Sequence, residues 1–254
     1  MQWLVYYSDK APAEAFDGYG LLVFDSLNHP PLGPFSGSGK TLLGYISLCE
    51  VREGRSYFED VRADGVLLHE NANWKGSHLL DIRNPLWRRR VVEQLIPEIL
   101  ARGFDGLFID TLDNAVYLEN ADPEKYEGMK ASAVELVREI RRRYPSTKIM
   151  VNRAYELLPA IEQHIDIVLG ESMFTSYDFR KGVYSLAARN IYQKQADLLK
   201  AARERRPGLK LLSLDYWDPD DVEGVARIYR SQRANGFRPY VATIALDRIV
   251  EEPK

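Results

Sequence analysis

The feature that constrains this chain most is a rhythm. Eight short runs rich in leucine, β-branched and aromatic residues recur along it, at positions 3–7, 21–24, 42–48, 106–109, 148–151, 167–169, 210–214 and 240–244. Stretches with helical periodicity fill most of the gaps, at 86–102, 123–144, 155–165, 185–206 and 220–235. Strand-length apolar runs separated by amphipathic helices are the sequence form of repeated βα units, whose strands lie parallel beneath their helices. Eight such runs in 254 residues match one closed parallel barrel. A doubly wound sheet uses fewer strands and displays a phosphate-binding glycine turn. The expectation is therefore an α/β chain forming a single (β/α)8 TIM barrel over residues 1–254, with one long irregular loop at 52–84. A loop of that length predicts a substrate-facing lid or wall, anchored by Trp74, Leu67, Leu68, Leu79 and Leu80.

Composition enters only to exclude partners. Hydrophobic residues at 45% and charged residues at 28% suffice for an ordinary folded core, and the net charge of −3 provides no basic field. Nucleic acid and membrane surfaces, which recruit proteins through such fields, are not expected partners. The single cysteine, Cys49, excludes an internal disulfide and sits in an apolar run as a buried small hydrophobe. Residues 1–8 lack the cationic and long apolar stretches of a signal peptide or anchor, which predicts a cytoplasmic protein unless an export signal has been trimmed.

One motif is a decoy. GPFSGSGKT, residues 33–41, looks like a phosphate loop, but five residues instead of four separate Gly33 from Gly39. It also runs into an apolar strand, whereas a phosphate loop leaves a strand and opens a helix. The informative pattern is the placement of acids: Asp25, Glu50, Asp110, Asp113, Glu171, Asp215 and Asp247 each follow an apolar run directly or closely. In a parallel barrel those positions share one rim, so residues distant in sequence converge on one cavity. Any one such acid serves equally well as a helix cap, and Asp113 in particular is placed to cap a following helix.

Two facing carboxylates with divergent pKa values are what glycosidic cleavage needs, and Asp110 with Glu171 fits that role. Gly170, before Glu171, lets the backbone approach a neighbour or a ligand closely. Tyr6, Tyr7, Tyr45, Tyr216 and Trp217 lie near strand ends, where aromatic rings either stack on sugars or pack the wall. His29, His69, His78 and His164 lack metal-ligand spacing, which leaves oxygen-only Mg or Ca binding as the alternative, and no GxSxG elbow occurs.

Several strings are familiar together: GYISLCEVREGRSYFEDV at 44–61, NANWKGSHLLDIRNPLWRRRVVE at 71–93, GFDGLFIDTLDN at 103–114, VNRAYELL at 151–158 and GES at 170–172. In this order they resemble the endo-α-1,4-polygalactosaminidase superfamily, over nearly the whole chain. The resemblance implies a (β/α)8 barrel hydrolysing partly N-acetylated α-1,4-linked galactosamine polysaccharide, with no cofactor. It implies Asp110 and Glu171 as the catalytic pair and Glu50, from the family's YxSxGE motif, at the substrate-binding rim. Tyr45, Tyr6, Asp113, Asn152, Asp215, Tyr216 and Trp74 are the further candidates for substrate contact. Cys49 stands where the family usually has glycine, which adds bulk beside Glu50. The alternatives are a carbohydrate-binding barrel without turnover and a metal-dependent lyase or aldolase on the same fold.

Overall fold

A computed structural model describes residues 2–253. Eight parallel strands form its centre: β1 (Gln2–Tyr6), β2 (Tyr19–Phe24), β3 (Thr41–Ser47), β4 (Gly106–Asp110), β5 (Lys148–Asn152), β6 (Ile167–Glu171), β7 (Lys210–Tyr216) and β8 (Arg238–Ala242). Each pairs with its sequence neighbour, so spatial and chain order coincide. β8 returns to β1, where Trp3 Nε1 donates to the Arg238 carbonyl at 2.9 Å and Tyr7 N donates to the Leu246 carbonyl at 2.7 Å. The barrel is thus nearly closed, and each expected run lies on one of its strands. The strands are apolar on both faces because one side fills the barrel and the other meets the helices.

Gly170 shows how tightly that outer layer packs. A Cβ there would lie 2.3 Å from Met173 Sδ and 3.0 Å from Leu199 Cδ1, so the glycine admits a neighbour and not a ligand. The decoy segment leads into β3 through a short turn at Gly33–Phe35, and Cys49 is fully buried.

Several elements differ from expectation. The helix expected at 123–144 begins only at Met129 and is preceded by a separate helix at Asp113–Ala121, and the one expected at 155–165 is a single α turn, Leu158–Ile161, between two 3-10 turns. The segment read as irregular holds a three-stranded antiparallel sheet (Glu50–Arg52, Leu67–Glu70, Ser77–Leu80) and a helix at Phe58–Ala63. Strands of three or four residues are too short for alternation to register in sequence. The helix expected at 86–102 contains a π turn at Val91–Leu95 between α segments Pro85–Arg90 and Ile96–Ala101. Pro97 brings no N–H and crowds the preceding turn, and the widened turn accommodates it. Finally, the start of the helix expected at 185–206 is instead the second strand of a hairpin, Thr175–Asp178 with Val183–Leu186, and the helix begins at Arg189. No helix among the described residues is long and apolar enough to cross a membrane.

Candidate active site

Strands β4, β5 and β6 lie side by side and end on Asp110, Asn152 and Glu171. Their parallel pairing brings the three side chains together at one rim. Asn152 Nδ2 donates to Asp110 Oδ1 at 2.9 Å and to Glu171 Oε2 at 2.6 Å. The two hydrogens of an amide diverge by about 120°, so the two oxygens they reach are only about 5 Å apart. Glu171 Oε1 accepts from the Tyr216 hydroxyl, at the end of β7. Burial, and then the negative charge of Asp110, push the Glu171 carboxyl above the usual glutamate range; the bonds from Tyr216 and Asn152 and the charge of Arg153 oppose this. These surroundings favour the protonated form of Glu171.

The backbone turns sharply straight after each of these residues. The non-glycine residues with left-handed φ are Thr111 (62°), Arg153 (52°), Ala154 (47°), Ser172 (51°) and Leu246 (53°), among the described residues. Three of them directly follow Asp110, Asn152 and Glu171, and all five lie beyond the carboxyl ends of barrel strands. Such conformations cost about 1 kcal/mol or more each and persist where surrounding contacts over-determine them. Here the contacts are ladder bonds carried one residue past the strands, Arg153 N to the Leu169 carbonyl at 2.9 Å and Ser172 N to the Leu214 carbonyl at 2.8 Å. Thr111 is fixed by its hydroxyl, which meets Ser47 Oγ at 2.8 Å and accepts from Cys49 N at 3.0 Å.

Around the pair, Glu50 Oε2 accepts from Asn71 Nδ2 at 2.8 Å and Asn114 Nδ2 at 3.0 Å. Tyr45 is half-buried, its ring 5.5 Å from that of Tyr7 and 5.9 Å from the Arg55 guanidinium carbon. Burial and the nearby charge of Asp110 raise the Tyr45 hydroxyl far above the usual tyrosine range; burial, Tyr45 and Asp110 do the same to Tyr7. Asp113 begins the helix Asp113–Ala121 without serving as its cap, and its carboxylate lies 3.4 Å from Arg153 Nε. Burial raises the Asp113 carboxyl, Arg153 opposes, and Asp110 adds to the rise. Asn152 Oδ1 and the Tyr155 hydroxyl are buried without a protein partner.

Other candidates are placed differently. Tyr6 faces away from the mouth, buried edge-on against Phe16 at 5.5 Å and Phe24 at 6.4 Å, its hydroxyl accepting from Ala11 N. Strand side chains alternate, so Tyr7 turns toward the rim and Tyr6 toward the outer core. Asp215 is fully buried and accepts from Phe174 N, Thr175 N, Thr175 Oγ1 and Gln232 Nε2, which ties β7 to the hairpin and to the helix Val222–Ala234. Tyr216 is also buried, so it positions Glu171 and is no stacking platform. Trp74 anchors nothing in the core: it is 50% exposed at the tip of the 67–80 hairpin. Asp25 is engaged by Arg55 at 2.8 Å, and Asp247 is exposed beyond β8. Arg153, Thr111, Asn71 and Asn114 were not singled out in the sequence; their one signal is that each lies in a string quoted above. No group of three or more His, Cys, Asp or Glu side chains among the described residues is arranged to hold a metal ion.

The family model described as glycoside-hydrolase family GH114 matches residues 2–254. A Deinococcus radiodurans protein, described as uncharacterized, is 25% identical over 222 residues, covering 85% of this chain and 68% of its own length. The uncharacterized protein MJ1477 of Methanocaldococcus jannaschii is 24% identical over 217 residues, covering 81% of this chain; the chain spans 62% of it, less than two thirds. Among solved structures, the glycoside hydrolase domain of PelA from Pseudomonas aeruginosa superposes with TM-score 0.87 at 23% identity, over 99% of this chain and 98% of that one. Aspergillus fumigatus Ega3, in complex with galactosamine, superposes with TM-score 0.75 at 14% identity, over 99% and 94%. Both likenesses are of fold.

Proposed function

The chain belongs to glycoside-hydrolase family GH114, and we propose that it is an endo-acting glycosidase cleaving α-1,4-linked galactosamine polysaccharide, partly N-acetylated, with Asp110 and Glu171 as its catalytic pair. The observation that carries this reading is the Asn152 amide bonded to both carboxylates. The oxygens it reaches lie about 5 Å from each other, which supports the closely spaced pair of a retaining glycosidase, about 5–5.5 Å, over the roughly 6.5–9.5 Å that admits a water between.

The division of labour follows from the surroundings. Glu171, with its raised carboxyl, donates its proton to the glycosidic oxygen as the C–O bond breaks. Asp110 attacks the anomeric carbon from the opposite face and forms a glycosyl ester. Water then adds to the anomeric carbon, losing a proton to the Glu171 carboxylate, and the ester bond to Asp110 breaks. Two inversions return the α configuration. Tyr216 and Asn152 hold Glu171 in place, while Glu50, Tyr45 and Asp113 line the rim for sugar hydroxyls and amines.

The choice of an amino sugar rests on the sequence resemblance and on the galactosamine bound to Ega3. Reducing ends released from partly N-acetylated galactosamine polymer, with glucosamine and galacturonan chains as controls, test the substrate. Proton NMR of the first-formed anomer tests the mechanism: α is expected, and an initial β product removes Asp110 as nucleophile. Polymer binding without turnover would identify a carbohydrate-binding barrel instead.

A further inference from the structure

Two excursions from the catalytic face meet each other. The insertion after β3 carries Trp74 at the tip of its 67–80 hairpin, and the 175–186 hairpin after β6 carries Phe179 at its turn. The rings touch edge-on, with centroids 4.9 Å apart, yet they remain 50% and 49% exposed. Large aromatic rings that touch while staying half in water keep faces free for an amphipathic ligand. β3 and β6 stand three strands apart, so the contact spans the rim as a chord, with the Asp110 and Asn152 strands on one side.

The two sides of this contact lead back to acids of the rim, one to Glu171 and the other to Glu50. From Phe179 the rings continue through Tyr177 at 5.0 Å, Tyr184 at 4.9 Å and Trp217 at 6.3 Å, and Trp217 follows Tyr216, whose hydroxyl bonds Glu171. From Trp74 the backbone bonds to the Asn71 carbonyl at 3.2 Å, and Asn71 Nδ2 reaches Glu50 at 2.8 Å. We propose that Trp74 and Phe179 form an aromatic clasp that grips the polysaccharide chain at a subsite away from the bond being cleaved. This rests on the glycosidase reading for the identity of the ligand. A pyranose ring offers C–H faces to the two rings and hydroxyls to the surrounding water, a match that an exposed aromatic pair linked to the rim by neighbouring rings and hydrogen bonds supplies. The clasp makes chain length a determinant of rate, because only oligomers that reach both the carboxylates and the chord gain its contacts.

Two measurements test this. The first is the ratio of kcat/KM for long galactosamine polymer to that for its short oligomers. Trp74→Ala and Phe179→Ala should each lower this ratio roughly tenfold, and Trp74→Phe, which keeps a ring, should retain most of it. An unchanged ratio in both alanine variants overturns the clasp. The second needs no turnover: electrophoresis of Asp110→Asn protein through a gel containing the polymer should show retardation that added Trp74→Ala removes. Equal migration of the two proteins overturns the clasp as well. If the wild-type protein hydrolyses none of the polymers but the retardation is lost with Trp74, the glycosidase reading fails while the clasp stands.

Discussion

Strand β6 has a carboxylate at each end, and the fold drives them in opposite directions. Asp166, just before the strand, accepts from Ile149 N at 2.9 Å and from Arg141 at 2.7 Å. Burial raises its carboxyl, but these bonds and the Arg141 charge outweigh that and leave it below the usual aspartate range. Glu171, at the other end, is raised by burial and by Asp110. Asp105 repeats the first arrangement before β4, accepting from Leu42 N at 2.9 Å. The amino-terminal end of the barrel thus uses acids to tie one strand to the next. The carboxyl-terminal end crowds acids together and bends the backbone into left-handed turns beside them. One end contributes stability, and the other holds conformations that cost it.

The largest effect should come from removing the crowded acids. Asp110→Asn and Glu171→Gln are each expected to lower kcat by on the order of a hundredfold or more. Near-native turnover in either, at an unchanged melting temperature, would remove that residue from the pair. A raised carboxyl costs the native state nothing below its unfolded pKa, and a growing amount as pH rises towards the folded value. Glu171→Gln should therefore melt no lower than the wild type at neutral pH, and a clear drop would erase the contrast between the two ends of β6.

Next in size is Tyr216→Phe, which deletes a donor to ionised Glu171. Losing that bond favours the protonated form, so the alkaline limb of kcat/KM should move to higher pH, alongside roughly a tenfold loss of activity from lost positioning. A limb that stays in place, or moves down, would show that Glu171 is not the acid being titrated.

At the other end, Asp166→Asn should leave turnover near native and cost about 1–2 kcal/mol of stability, a few degrees of Tm. A depressed carboxyl stabilises above its unfolded pKa, and this contribution disappears as pH falls through the folded value. The gap in Tm between variant and wild type should therefore close in acid; a gap that persists at low pH assigns the loss to packing. Smallest is the effect of charge on substrate choice. Asp25 is paired with Arg55, Asp113 lies beside Arg153 and Asp215 is buried, so the negative field at the rim rests mainly on Glu50, Asp110 and the exposed Asp247. Partly deacetylated, cationic chains should be cleaved only a few-fold faster than fully acetylated ones, with the difference fading in salt as the Debye length drops below about 8 Å. Equal rates at low salt would remove the charge argument.

The sequence by itself determined the barrel and the end of it at which the strand-terminal acids gather. A buried parallel strand must be apolar along its whole length, and a run such as 106–109 that ends on Asp110 announces both a strand and its functional end. Tertiary structure alone decided which strand-end acids are taken up by other segments and which are left facing one another. Asp215 and Glu171 look alike in sequence, yet four donors from the hairpin and the helix Val222–Ala234 take up the first. The second meets one amide shared with Asp110 and the hydroxyl of Tyr216. Tyr6 and Tyr7 are neighbours in sequence and face opposite sides of a sheet. The short strands of the 50–84 insertion pair only with one another and are too brief for alternation to register, and the contact between Trp74 and Phe179 joins segments over a hundred residues apart. Periodicity reports whether a segment is buried, a property of local pattern; what a buried carboxylate does depends on the donors and charges that distant segments bring within about 3 Å of it.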